Sequence, residues 1–279
     1  MILIAESSST IAQWCLVDNG VMVEYCESEG INPFFQARKQ ISHLIRENLP
    51  VVFFKSKLDA IYFYGTGCSA DQRKAIVKAS LESQFKTRAH IESDSYGAAR
   101  ALFQRKAGIA CVLDTDSNSC LYDGNEIIKK VRPLGYILGD EGSSASLGKI
   151  FLADCLKKLA PEMIMKSFYS QYGITADSLL DLIYTQSFPN RFLSKISTFL
   201  NDHLYHPYVY GLVYDNLKSF FVRNVFQYDY AHHSVRFIGT VADTYSDLLM
   251  QIGIDLGIQI DMIVKSPMKG LIQYHADNS

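Results

Sequence analysis

The apolar positions of the first thirty residues are spaced for strands. Ile2–Ala5 is a continuous apolar run, and Ile11–Val17 and Val21–Cys26 are mostly apolar segments of strand length with Asn19-Gly20 between them. Both residues of an Asn-Gly pair tolerate φ > 0, so it predicts a two-residue hairpin turn. The period then lengthens. Gln36–Leu49 places its apolar residues at helical spacing, Ala60–Tyr64 reads as a buried strand and Asp71–Phe85 as a helix. A short strand near His90 precedes a small-residue helix from about Asp94. The order is β-β-β-α-β-α-β-α.

At Gly108 the pattern restarts. Ile109–Leu113 and Ser117–Tyr122 read as strands, Asp123-Gly124 as a turn and Glu126–Val131 as a third strand. A mostly helical stretch over about 143–229 follows. It leads to a strand Val235–Ile238, a helix near Thr240–Ile254 and a strand near Gln259–Ile263. Two halves that each open with three strands and continue through helical crossovers predict two related α/β domains with a small-molecule cleft between them. Residue-level likeness of the halves is faint, so the repeat is architectural.

Composition narrows the function classes. The 279 residues are 48% hydrophobic, with 16 Phe and 17 Tyr, enough material for two cores and incompatible with disorder. Lys+Arg number 27 against 29 Asp+Glu, a net charge of -2. The charges are interspersed, so no basic stripe is available for a phosphate backbone and nucleic acid is not an expected partner. No segment approaches ~20 uninterrupted apolar residues, and the run Met1–Glu6 lacks a basic flank. A membrane is therefore not an expected partner, and the expected location is cytoplasmic. Cys15, Cys26, Cys68, Cys111, Cys120 and Cys155 form no CxxC pair and sit mostly in apolar runs, which predicts buried, reduced thiols.

Candidate chemistry concentrates in turns. Glu6-Ser7-Ser8-Ser9-Thr10 joins two strands, and its N–H groups and hydroxyls can converge on an anion; an ordinary serine-rich turn reads the same way. Asp114-Thr115-Asp116-Ser117-Asn118-Ser119 holds the matching place in the second half. Gly139-Asp140-Glu141-Gly142 sets adjacent carboxylates ahead of an amphipathic run, suited to ligand hydroxyls or to helix capping. Asp94 stands at a strand end and helix start, a place that capping alone also explains. Asn32 is a hydrogen-bonding amide in an Asn-Pro loop. Gly239 ends an apolar strand and opens a helix at Thr240, where a flat ligand can lie against backbone.

In this order the segments resemble the BadF/BadG-type ATPase family, N-acetylglucosamine kinase-like, within the actin-like superfamily of sugar kinases and Hsp70-type ATPases. The likeness covers nearly the whole chain. It is carried by Gly30-Ile31-Asn32-Pro33-Phe34, Tyr62-Phe63-Tyr64-Gly65-Thr66-Gly67-Cys68, Ser117-Asn118-Ser119-Cys120, Gly139-Asp140-Glu141-Gly142 and Ser266-Pro267-Met268-Lys269-Gly270. The resemblance implies two actin-like (ribonuclease H-like) α/β domains, 1–107 and 108–266, the second with a helical insertion, and a C-terminal helix over 267–279 returning to the first. It further implies transfer of a phosphoryl group from ATP, with Mg2+, to an amino sugar. By the same resemblance Asp94 is the base, and Glu6 lies on the metal side. Ser7, Ser8, Ser9, Thr10, Thr115, Asp116, Ser117, Gly239 and Thr240 meet the nucleotide, while Asn32, Thr115 and Asp140 meet the sugar. The Phe- and Tyr-rich stretch Tyr205–Tyr230 offers a face for a homodimer.

Several departures stand out. The family's first turn reads Asp-x-Gly-x-Thr-Lys-Thr; here the glycine is Ser8 and the lysine is Ile11. Its Gly-Thr-Gly-Ser turn has become Asp114-Thr115-Asp116-Ser117, and Gly-Ser-Gly-Ala has become Gly142-Ser143-Ser144-Ala145. Glycines at φ > 0 are replaced at a cost, and a carboxylate ~4 Å from a phosphate oxygen repels it by about 4 kcal/mol at an effective dielectric of 20. Three readings stay open: a sugar kinase, a non-catalytic sugar-binding or regulatory pseudokinase, and a scaffold whose cleft binds nothing.

Overall fold

The computed structural model describes residues 1–185 and 188–276. The last three residues of the segment 267–279 lie outside the described residues. Two compact units form, one from 1–110, 120–130 and 264–276, the other from 111–119 and 131–263.

The first sheet is built from β1 (Ile2–Ser7), β2 (Ile11–Asp18), β3 (Val21–Glu29), β4 (Ala60–Gly65) and β5 (Ala89–Ser93), in the order β3-β2-β1-β4-β5. The first three strands form an antiparallel meander, and β1, β4 and β5 run parallel. Asn19 and Gly20 take φ of 48° and 76°, as the turn between β2 and β3 requires. Between the strands lie α1 (Arg38–Asn48), α2 (Val51–Lys55) and α3 (Asp71–Phe85); α4 (Asp94–Phe103) follows β5. Leu3 and Ala5 join Trp14, Phe63 and Val77 in one core, while Ile4 points into another with Val17, Tyr64, Met268 and Leu271. A strand covered on both faces must be apolar throughout, which accounts for the unbroken run Ile2–Ala5.

The second sheet repeats that order. It comprises β6 (Gly108–Leu113), β7 (Ser117–Tyr122), β8 (Ile127–Lys130), β9 (Val235–Ile238) and β10 (Ile260–Val264), arranged β10-β9-β6-β7-β8. Read from the other edge this is third, second, first, fourth, fifth, the same permutation as in the first sheet. The architectural repeat expected from the sequence is therefore present.

The helical stretch consists of α5 (Gly135–Leu138), α6 (Ser144–Leu156), α7 (Glu162–Tyr172), α8 (Ala176–Thr185), α9 (Pro189–Asp202) and α10 (Pro207–Arg223). Proline opens α9 and α10, where its missing N–H has no intrahelical partner to lose. The expected single helix over 240–254 is two, α11 (Thr240–Thr244) and α12 (Ser246–Leu256), broken at Tyr245, whose ring is buried. The chain closes with α13 (Met268–Ala276).

None of the six cysteines forms a disulfide. Burial pushes the thiols of Cys68, Cys120 and Cys155 up to about 12, keeping them protonated and unreactive. Among the described residues no helix is long and apolar enough to cross a membrane.

Candidate functional site

In the first unit the polar residues gather where parallel strands end. Ser7, Gly65 and Ser93 stand side by side in register at the carboxyl ends of β1, β4 and β5, the end of an open α/β sheet where ligands bind. The loops that follow carry Ser8–Thr10, Thr66-Gly67 and Asp94. Thr66 donates through Oγ1 to Asp94 Oδ2 at 3.1 Å, and Ser95 donates its amide to Asp94 Oδ1 at 2.7 Å. Lys130 in turn donates to Ser95 Oγ at 2.5 Å. Both oxygens of the half-buried Asp94 carboxylate are thus held in place, and every donor that holds them is itself positioned by a strand end or a helix start.

Gly30 brings the Asn32 loop against the first turn: a Cβ there would lie 2.5 Å from the Ser8 carbonyl oxygen. Asn32 is 6% exposed and donates from Nδ2 to Ser9 Oγ at 3.4 Å. Its Oδ1 accepts from the Phe34 amide at 3.0 Å, so the side chain also closes the Asn-Pro turn. Asn32 further packs on Gly67, where a Cβ would meet its Oδ1 at 2.5 Å. Asn32, Ser9, Thr66 and Asp94 form one continuous polar patch.

The first turn itself closes inward. Ser8 Oγ accepts from the amides of Thr10 and Ile11, each at 3.2 Å, and lies 3.1 Å from Thr10 Oγ1. Those amides are the groups a phosphate-binding turn presents to its ligand. Glu6, at the end of β1, pairs in register with Gln13.

In the second unit the turn after β6 meets the one after β9. Gly239, at φ 123°, approaches so closely that a Cβ would sit 2.2 Å from the Leu113 carbonyl oxygen. Thr240 then donates through Oγ1 to Asp114 Oδ1 at 2.5 Å. Asp114 keeps part of its surface exposed, but protein crowds its carboxyl on most sides. That desolvation raises its pKa above the usual carboxylate range, against the opposing hydrogen bonds from Thr240 and the Thr115 amide. The start of α6 docks on the same turn: Ser144 N and Oγ donate to the Asp114 carbonyl at 2.9 and 3.1 Å, and Ala145 N to the Thr115 carbonyl at 3.3 Å.

Asp140 is 6% exposed and holds φ 59°, a left-handed conformation rare outside glycine and common at ligand-contacting positions. With Ser117, Arg132, Glu141 and Arg223 it lines a hollow of about 330 Å³. A separate cavity of about 230 Å³ lies against Thr240, with Thr198, Asn201 and Tyr245 on its wall.

Among the described residues, positive φ outside glycine is confined to Asn19, Lys86, Gln104, Asp140 and Lys158. Ser8, Asp114 and Asp116 therefore stand in their turns without backbone strain, against the cost expected for replacing glycine at φ > 0. In the first turn the Thr10 and Ile11 amides serve Ser8, and in the second unit the Thr240 hydroxyl serves the Asp114 carboxylate. Sequence reasoning passed over Thr66, Ser95, Lys130 and Ser144 as positioning residues. Thr66 sits in a quoted motif and was within reach; the others depend on contacts far apart in sequence.

No family model matches the sequence, and no curated protein matches it. Solved structures do. The "putative N-acetylglucosamine kinase" of Porphyromonas gingivalis is 42% identical, with TM-score 0.95 over 100% of this chain and 99% of that one. The "putative N-acetylglucosamine kinase" of Chromobacterium violaceum is 15% identical at TM-score 0.76, covering 98% of each chain. A "putative N-acetylmannosamine kinase" of Listeria monocytogenes is 12% identical at TM-score 0.53, covering 99% of each. The latter two share the fold: two actin-like α/β domains.

Proposed function

The chain belongs to the N-acetylglucosamine kinase-like family of actin-like proteins, and from that premise we propose that it binds an amino sugar of the N-acetylglucosamine class but has lost productive Mg·ATP binding. The observation that carries the second half is the closure of the first turn, where Ser8 Oγ accepts from the Thr10 and Ile11 amides at 3.2 Å each. The acid at Asp114, bonded to Thr240, acts in the same direction by placing negative charge where a phosphate would come.

We assign Asn32, Thr115 and Asp140 to the hydroxyls and acetamide of the sugar and Asp94 to the hydroxyl that a kinase of this family phosphorylates. In such a kinase Asp94 would take the proton of that hydroxyl as it attacks; here it serves as a hydrogen-bond acceptor that holds the sugar. Glu6 would lie toward Mg2+, and Ser7, Ser9, Asp116 and Ser117 toward the phosphates, in any relative whose turns are open. The cavity beside Thr240 is a remnant of the base-binding side.

Isothermal titration of purified protein with N-acetylglucosamine, and separately with Mg·ATP, tests the reading. Sugar binding without nucleotide binding is the expected result. Micromolar Mg·ATP affinity would overturn the loss of nucleotide binding, and a phosphorylated sugar whose formation Asp94→Asn abolishes would establish an active kinase instead.

A further inference from the structure

The hollow at Asp140 does not end at Glu141. Glu141 Oε1 and Arg223 Nε, 3.3 Å apart, line it together with Gly139, and the same three residues line a second, larger cavity of about 690 Å³ among α5, α6 and α10. One ion pair thus stands where two spaces meet. Arg223 is 67% exposed and Glu141 23%, and an ion pair so open to water contributes little and is readily parted.

The second cavity has the chemistry of a neutral, hydroxyl-rich ligand. Lys149 and Arg223 face Glu141, Asp154 and Asp215, two positive charges against three negative, which disfavours a phosphate or any other anion. Asn216, 4% exposed, forms part of the wall. Its Oδ1 accepts from Ser146 Oγ at 2.9 Å, while its Nδ2 has no partner. A buried amide left unpaired is costly, and a small adjustment of the wall would give it a ligand oxygen to bond. Tyr208 donates to Asp154 Oδ2 at 2.7 Å and, with Leu212, presents an apolar surface to the C–H face of a sugar ring.

We propose that the sugar site extends past the Glu141–Arg223 pair into this cavity, so that the ligand is an oligosaccharide of two or more units rather than a free monosaccharide. One unit occupies the hollow at Asp140, and its neighbour occupies the larger space, bonded by Asn216 and the acids around it. This rests on the amino-sugar reading of Asp140.

Gly211 gives the test a clean variant. It lines the cavity, and a Cβ built on it meets nothing within 4 Å, so the side chain of Gly211→Phe sets out into open space from a helix position where glycine is unfavourable. The full chain and Gly211→Phe are titrated with N-acetylglucosamine and with its β-1,4-linked disaccharide, and thermal melting confirms that the variant is folded. Wild type should bind the disaccharide about tenfold more tightly, the worth of one or two added hydrogen bonds. In Gly211→Phe the advantage should vanish while monosaccharide affinity stays within about twofold. Equal affinities in wild type, or an advantage that survives in Gly211→Phe, overturn the extension alone. Absence of binding by both sugars overturns the amino-sugar reading and the extension with it.

Discussion

Replacing Asp114 by asparagine should strengthen Mg·ATP binding. The carboxylate lies 2.5 Å from Thr240 Oγ1, so a phosphate oxygen approaching the same hydroxyl would come within about 4 Å of it. Two unit charges at that separation repel by about 4 kcal/mol at an effective dielectric of 20. Asp114 is only partly covered, and solvent screening brings the figure to about 2 kcal/mol, or roughly 30-fold in Kd. Asparagine keeps an acceptor for Thr240 and, since φ at 114 is not left-handed, leaves the turn unstrained. The raised carboxyl pKa supplies a second handle. Wild-type affinity should rise as falling pH protonates Asp114, by more than the change seen in Asp114→Asn. Calorimetry at two pH values on both proteins reads all of this. A change of less than about threefold at neutral pH would show that the carboxylate is not the obstacle.

Three further outcomes are expected. Asp94→Ala should weaken N-acetylglucosamine binding by about 10- to 100-fold, the worth of a hydrogen bond to a charged acceptor, with Thr66→Val producing a smaller loss of the same sign; unchanged calorimetric affinity in both would remove Asp94 from the sugar site. Gly239→Ala forces a side chain onto the Leu113 carbonyl at positive φ and should cost on the order of 3 kcal/mol in urea unfolding. His275 is buried, stacked on Tyr62 at 3.8 Å and bonded to Tyr64 Oη at 2.9 Å, and burial holds its pKa down to about 4. Its unfolded pKa is higher, so its contribution is complete above about pH 6.5 and fades as pH falls toward 4, a loss of about 3 kcal/mol. Stability curves for wild type and His275→Gln should differ in slope across that window and run parallel above it.

Much of the fold was legible because local chemistry and the final structure agree. Asn19-Gly20 demands φ > 0 and receives it, Asp71–Phe85 begins and ends where its sequence says, and the three-strand openings announce the repeated sheet order. Other features were hidden for physical reasons. The single turn Gly135–Leu138 leaves Ile137 and Leu138 exposed, so no buried stripe marks it as a helix. No glycine or proline marks the break at Tyr245, so the division into α11 and α12 could not be read from the sequence. At the candidate site the expectation that Asp94, Asn32 and Asp140 meet a ligand rests on motifs, and the strain expected at Ser8, Asp114 and Asp116 could not be judged without dihedral angles. The Ser8 hydroxyl bonds that close the first turn and the Thr240 bond to Asp114 required coordinates.

The packing of α13 has a bearing on how the protein is made. Met268 and Leu271 complete the core around Ile4, Val17 and Tyr64, Gly270 accepts from Gln104, and Ser266 bonds Gln13. The residues of β1, β2 and β4 leave the ribosome long before this helix does. At ordinary elongation rates of about 5–20 residues per second, the interval from the end of α4 to α13 lasts roughly ten to thirty seconds. Throughout it the apolar patch that Met268 and Leu271 cover, beside α4, stays open to water. The nascent chain is therefore a natural client for chaperones at mid-synthesis, and messages truncated ahead of α13 should yield aggregates rather than a stable half-protein.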